Sequence, residues 1–244
     1  MNETATLHRN PDNLHYLARK AAGEPISQNY WLLDKDIDSI LEETLEIDKK
    51  TRKAAKKRTD GKALYVTSSI ALNADSIGMA LHLIRKSRKD EQPYVVFVPV
   101  NRGNNHWAYL EIQVSERDIA ADYFDSLGPD STKKAEIEKI VKSALNFKEN
   151  TKDAVGNPVV HQAFPDKKPQ AVDTHFTAKQ TDGYTCGDRV ICDILKENGV
   201  NNEITQVNLS QKDHDSKLRT VVFSVLDKKY EIVNIEKEEV KKRC

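Results

Sequence analysis

Apolar and polar positions are patterned most regularly in the middle of the chain. Tyr94 to Pro99 is a compact apolar run, and Trp107 to Val114 follows with Ala108, Leu110 and Ile112 alternating. Both predict β-strands. Ile119 to Phe124 predicts a third strand that ends at Asp125. The Asn101-Arg-Gly-Asn-Asn105 turn joins the first two as a hairpin-like connection, which puts His106 at a strand start on the rim of a sheet. Ala63 to Ser68 and His175 to Thr177 read as shorter strands.

Helical spacing is clearest from Thr132 to Phe147, where Ile137, Ile140, Val141, Ala144 and Leu145 share one face opposite lysines. Tyr30-Trp-Leu-Leu-Asp34 opens another amphipathic pattern through Leu33, Ile37, Ile40, Leu41 and Leu45. A third runs through Ile77, Met79, Leu81, Leu83 and Ile84, with Ser76 as its expected cap. Val190, Ile191, Ile194 and Leu195 predict a helix that begins at Cys186 and stops at Asn198-Gly199. Thr220 to Leu226 fits helix or strand, and residues 148–170, with Gly156, Pro158, Pro165 and Pro169, predict a surface loop or short hairpin. The result is an α+β fold with a central mixed sheet flanked by helices. Residues 1–28 are expected to be a loosely ordered arm, 29–235 one folded domain, and 236–244 a frayed tail.

Composition changes the picture mainly by exclusion. The 244 residues carry 38 basic and 38 acidic side chains, so no global field argues for nucleic acid or acidic lipid. The Lys- and Arg-rich stretch Lys49–Lys62 lacks the aromatics of a nucleic-acid platform and reads as a solvated helix end. No run approaches the roughly 18 apolar residues of a membrane span, and the N-terminus lacks the basic-then-apolar order of a secretory signal. Three cysteines cannot form a disulfide framework, which favours a reducing compartment. Asp34, Asp36 and Asp38 alternate as in a calcium loop, but Ser39 replaces the turn glycine and Leu45 the bidentate Glu. No metal or nucleotide cofactor is expected, since no metal-ligand pair or phosphate-cradling glycine loop occurs.

The candidate chemistry lies between Gln180 and Cys192. Turn residues Thr181-Asp182-Gly183 lead into Cys186 on the first turn of the predicted helix. A helix N-terminus favours the thiolate, the nucleophilic form. Gly187 is expected to keep bulk away from an approaching carbonyl. Gln180, six residues upstream, offers an amide N–H to an oxyanion.

In order, His106-Trp107, Asp125-Ser126-Leu127-Gly128 and Gln180-x5-Cys186-Gly187 resemble the ubiquitin-like protease family, the clan CE cysteine peptidases, over roughly Tyr30 to Gly199. That family includes SUMO and NEDD8 proteases and bacterial effector deubiquitinases. The resemblance implies a papain-like, adenain-like fold spanning 29–235 with the nucleophile Cys186 at a helix N-terminus. It also implies His106 as base, Asp125 as the acid that orients it, and Gln180 in the oxyanion hole. Trp31 and Trp107 would wall a tunnel for a Gly-Gly tail. The implied partner is ubiquitin or a ubiquitin-like protein, and the implied activity an isopeptidase, with ubiquitin favoured over SUMO or NEDD8. A reducing cytosol fits such an enzyme, the host's cytosol if the protein is a bacterial effector.

Three departures bear on the substrate. Thr185 stands where many SUMO proteases carry Asp, and Asp188-Arg189 where apolar residues are usual. Asp122, three residues before Asp125, competes for the role of the acid. Two other classes remain: a YopJ-type acetyltransferase, for which Lys49–Lys62 is the candidate inositol-phosphate site, and a catalytically silent module that binds the modifier.

Overall fold

The structure is a computed structural model that describes residues 15–243, with 56–57, 89, 104–105, 128–130, 178–179 and 210–212 excepted. A six-stranded mixed sheet is built from β1 (Ala63–Val66), β2 (Ile70–Ala71), β3 (Tyr94–Asn101), β4 (Trp107–Val114), β5 (Asp118–Asp125) and β8 (Lys168–Phe176). Its order is β1-β3-β4-β5-β8, with β2 also pairing β3. The β3-β4-β5 meander is antiparallel, while β1 and β2 lie parallel to β3 and β8 parallel to β5. The strong apolar runs are the central strands because both sheet faces are covered.

Alternation along the strands sorts side chains into two cores. On one face Phe97, Trp107 and Tyr109 pack with Ile37, Ile40 and Leu41 of α2 (Asp34–Thr44), with Val190, Ile191 and Ile194 of α5 (Cys186–Glu197), and with Leu218, Val222 and Leu226 of α6 (His214–Arg243). On the other, Val96, Val98, Leu110, Ile112 and Tyr123 pack with Ile77 and Leu81 of α3 (Ala74–Ser87) and Val141 of α4 (Ser131–Leu145). Each such side chain, fully buried, contributes about 1.5–3 kcal/mol of transfer free energy. Residues 148–170 form the expected hairpin, β6 (Lys148–Lys152) against β7 (Pro158–Gln162), and run on into β8.

Several local expectations are corrected. The helix cap before Ile77 is Asn73, whose Oδ1 accepts the Ser76 N–H at 2.8 Å. Thr220 to Leu226 is helical, and α6 continues to Arg243 through the segment expected to fray. Residues 1–14 of the expected arm lie outside the described residues, but its second half is docked. There α1 (Tyr16–Ala21) places Tyr16 against Tyr30 and Phe223, with its hydroxyl donating to Asp227 at 2.9 Å. Asp36 ties this helix down, accepting from the Tyr16 N–H at 2.8 Å, the Tyr30 hydroxyl at 2.7 Å and the Leu33 N–H at 2.9 Å. Tyr16, the one tyrosine within the polar arm and a buried one, is the signal that sequence reading passed over.

Candidate active site

The β3–β4 hairpin delivers His106 to the edge of the sheet, and β5 ends beside it. His106 Nε2 lies 2.6 Å from Asp125 Oδ1, with both residues buried. The Asp125 carboxylate is held at four points: Oδ1 also accepts from the Leu127 N–H at 2.9 Å, and Oδ2 from Arg102 Nη1 at 2.6 Å and the Tyr123 hydroxyl at 3.0 Å. Burial works to raise this carboxyl, but the His106 bond and charge, the Leu127 N–H and Arg102 outweigh it, so it is held below the ordinary range. Asp122 is on the other face of β5, where His175 Nε2 approaches it at 2.8 Å on a partly exposed surface. With Nε2 engaged by Asp125, Nδ1 is the ring nitrogen left to take a proton from a thiol.

Cys186 opens α5 as expected, but its surroundings are drier than a helix start suggests. It is 1% exposed, and burial pushes its thiol up to about 12. The Trp107 and Gly187 N–H groups work against that rise, and the negative charge of Asp188 adds to it. The expected thiolate is thus overridden, because removing the sulfur from water costs more than the helix terminus returns. Trp107, the residue that follows His106, packs beside Gly187, the residue that follows Cys186.

Packing around Gly187 leaves no room for a side chain. A Cβ there would stand 3.1 Å from Leu32 Cβ and 3.3 Å from Trp107 Cδ1, so the missing side chain lets α5 close on the chain leading into α2. Trp107 is buried and donates its indole N–H to the Leu32 carbonyl at 2.8 Å. Trp31, one residue earlier, is half-buried against the same core. The two tryptophans therefore belong to segments tied together next to Cys186.

Gln180 is preset by its neighbours. Its backbone N–H donates to the Ser126 carbonyl at 3.1 Å, and its side-chain oxygen accepts from the Ser126 hydroxyl at 2.8 Å. Its amide nitrogen donates to the Asp182 carbonyl at 2.8 Å. Asp182 Oδ1 in turn accepts from the Thr185 N–H at 2.9 Å and the Thr185 hydroxyl at 2.7 Å, fixing the turn into α5. Ser126 directly follows Asp125, so one dipeptide contacts both His106 and Gln180. Sequence reading used that serine only as part of a motif. Gly128 of the motif lies outside the described residues.

The charged pair after Gly187 has a structural explanation. Asp188 and Arg189 are both buried and face α6. Arg219 Nη2 lies 2.6 Å from Asp188, and Arg189 Nε donates to Asp215 Oδ1 at 2.8 Å. These positions join two helices, so their departure from the apolar pattern says nothing about the substrate. Asp215 also accepts from the Thr181 N–H at 2.7 Å, linking α6 to the turn before Cys186.

Several residues of the basic stretch are paired within the fold. Arg52 meets Glu42 at 2.5 Å, Arg58 lies 3.7 Å from Glu111, and Lys62 lies 3.4 Å from Asp60. Lys56 and Lys57 lie outside the described residues. Among the described residues, no cluster of three or more His, Cys, Asp or Glu is placed to hold a metal ion, and no helix is long and apolar enough to cross a membrane.

Comparison with known proteins fits this geometry. The sequence profile of the Ulp1 protease family, C-terminal catalytic domain, matches residues 79–220, more than half of the chain. A search of the curated proteins finds no match. Among solved structures, the Legionella pneumophila effector RavZ is similar with a TM-score of 0.50 and 11% identity, over 81% of this chain and 65% of that one. The central domain of the Legionella pneumophila protein Lpg1148 gives a TM-score of 0.49 and 18% identity, covering 80% of this chain and 96% of that one. Xanthomonas campestris XopD, solved bound to ubiquitin, gives 0.40 and 16%, over 78% and 81%. At such identities the structural likeness speaks to fold alone. The matched residues take in His106, Asp125, Gln180 and Cys186, and the sheet flanked by helices is the expected α+β protease fold. The chain belongs to the Ulp1 protease family, and it carries that family's cysteine protease domain.

Proposed function

We propose that this chain is a cysteine isopeptidase that cleaves after the C-terminal Gly-Gly of ubiquitin. Cys186 is its nucleophile, His106 the general base, Asp125 the residue that orients the base, and Gln180 a donor to the oxyanion. The observation that carries this reading is the 2.6 Å contact between His106 and a buried, fully hydrogen-bonded Asp125, with Trp107, the residue after His106, packed beside Gly187, the residue after Cys186.

The chemistry follows from those surroundings. A neutral, buried thiol is a poor nucleophile. His106 takes its proton through Nδ1 as the sulfur attacks the glycine carbonyl, so proton transfer accompanies attack. Asp125 stabilises the imidazolium that results. Negative charge then gathers on the former carbonyl oxygen, where the Cys186 N–H and Gln180 amide act as donors; a donor of this kind is typically worth about 3 kcal/mol in the transition state. His106 returns its proton to the leaving amine, and water releases the acyl group from sulfur.

The choice of a diglycine tail rests on confinement. Cys186 is 1% exposed, and a Cβ built on the adjoining Gly187 would meet Leu32, Trp107 and Ile37 within 3.4 Å. A tail without side chains is the substrate suited to so narrow an approach, with Trp31 and Trp107 as its walls. The enzyme requires a free thiol, and we assign it to a reducing cytosol, the host's if the protein is a bacterial effector.

The test is a panel of ubiquitin, SUMO and NEDD8 carrying C-terminal electrophiles, incubated with the protein and read by mass. Ubiquitin is expected to add to Cys186, and ubiquitin with its penultimate glycine replaced by alanine to add roughly 10- to 100-fold more slowly, the rate equivalent of forcing a Cβ into packed walls. Labelling by SUMO or NEDD8 alone would overturn ubiquitin as the substrate. Acetylation of Cys186 by acetyl-CoA without labelling by any modifier would overturn the protease reading.

A further inference from the structure

Arg102 lies on the β3–β4 turn and touches both ends of the contact between His106 and Asp125. Its backbone N–H donates to the His106 carbonyl at 2.8 Å, and its Nη1 donates to Asp125 Oδ2 at 2.6 Å. Its side chain is 17% exposed, whereas that of Asp125 is fully buried. A carboxylate offers about four lone-pair sites. Here four donors take them: His106, the Leu127 N–H, Arg102 and the Tyr123 hydroxyl. From α5, Arg189 and Asp193 line with Asp125 a cavity of about 20 Å³.

We infer that Arg102 is a positioning residue of this site, which fixes the outer oxygen of Asp125 and keeps its carboxylate charged so that the inner oxygen stays on His106. The inference rests on the reading of Asp125 as the acid of the site. A buried carboxyl favours its neutral form unless a cation or donors oppose that. The Leu127 N–H and Tyr123 hydroxyl are neutral donors, and His106 carries charge only for part of the reaction. Arg102 is the permanent cation in direct contact with Asp125. Once protonated, Asp125 has no charge with which to stabilise an imidazolium.

Arg102→Gln keeps a hydrogen-bond donor and discards the charge, while Arg102→Lys keeps the charge. We expect the acid limb of kcat/KM, which belongs to the coupled His106–Asp125 pair, to move up by about one pH unit in Arg102→Gln because loss of the cation favours an added proton on that pair; the shift is at the lower end for a neighbouring charge because Arg102 is partly exposed. Arg102→Lys should leave the limb near its original position. The substrate is whichever modifier labels Cys186, and the pH dependence of Cys186 alkylation by chloroacetamide gives the same limb without a modifier. A merely structural role would lower activity at every pH and leave the limb in place. Profiles of folded Arg102→Gln that superpose on the wild type, with Asp125→Asn inactive, would overturn the role of Arg102 and leave Asp125 assigned. Full activity in Asp125→Asn would instead remove the acid, and the inference with it.

Discussion

Asp188 stands two residues after Cys186 with its side chain fully buried, and Arg219 lies 2.6 Å away. The geometry is nevertheless poor for a strong pair. Neither carboxylate oxygen has a well-aligned hydrogen-bond donor among the described residues. The Arg219 guanidinium gives its hydrogens to the carbonyls of Tyr30 and Tyr184 instead. Burial therefore prevails over Arg219 and pushes the Asp188 carboxyl up to about 7. An unfolded Asp titrates near 3.9. Between these values the folded protein holds a proton that the unfolded chain has lost. The stability contributed by Asp188 is thus full at low pH and is lost as pH rises toward 7. A separation of roughly three pH units, each equivalent to about 1.4 kcal/mol, makes the loss at most about 4 kcal/mol.

Asp188→Asn imitates the protonated acid and cannot titrate. Urea unfolding at pH 5 is expected to find variant and wild type within about 1.5 kcal/mol, as for a volume-conserving swap. At pH 8.5 the variant should be the more stable, by up to about 4 kcal/mol, which for a chain of this size is up to roughly 8–16 °C in Tm. The opposite result has its own physical meaning. A variant about 3–5 kcal/mol less stable at both pH values would show that Arg219 keeps Asp188 ionised and is stranded without it. That outcome would refute the dominance of burial over pairing here.

The other predictions concern the site directly. Cys186→Ala should abolish hydrolysis and probe labelling while changing stability by about 1 kcal/mol; measurable turnover by the purified variant would remove Cys186 from the chemistry. Asp125→Ala should lower kcat/KM by about 10³–10⁴-fold, whereas Asp122→Ala, which loses only its surface contact with His175, should stay within about twofold. A reversed pair of effects would exchange their roles. Ser126→Ala removes the hydroxyl that holds Gln180 and should lower kcat about tenfold, the rate equivalent of one hydrogen bond, with KM unchanged. A change in KM alone would place Ser126 with substrate binding instead.

Much of the scaffold was legible because its signals are local. The β3–β5 meander follows from apolar runs and turn residues adjacent in sequence, and α4 and α5 from spacing on one face. His106 and Asp125 could be expected at neighbouring strand ends from that meander alone. α1 was not legible, because its six residues make fewer than two helical turns and its anchors, Asp36 and Asp227, lie on other helices. The two readings of Thr220 to Leu226 could not be separated within that segment either. Long-range packing of α6, which buries Leu218, Val222 and Leu226, against α1, α2 and α5 decides it in favour of helix.

The clearest failure at the site has the same physical origin. Sequence position correctly put Cys186 at a helix N-terminus, whose effect on a thiol is favourable but confined to one turn. Whether that effect governs ionisation depends on how much water remains around the sulfur, which is set by Leu32, Trp107 and α6 converging from distant parts of the chain. The charged residues that looked anomalous beside the nucleophile belong to that convergence: Asp188 and Arg189 draw α6 against α5 through Arg219 and Asp215. Asp215 then holds the Thr181 turn that leads back to Cys186. The departure from the family pattern and the dryness of the thiol are thus connected through one helix junction. Under the proposed mechanism, a protonated sulfur in so dry a site makes the approach of the substrate tail the step that commits Cys186 to attack.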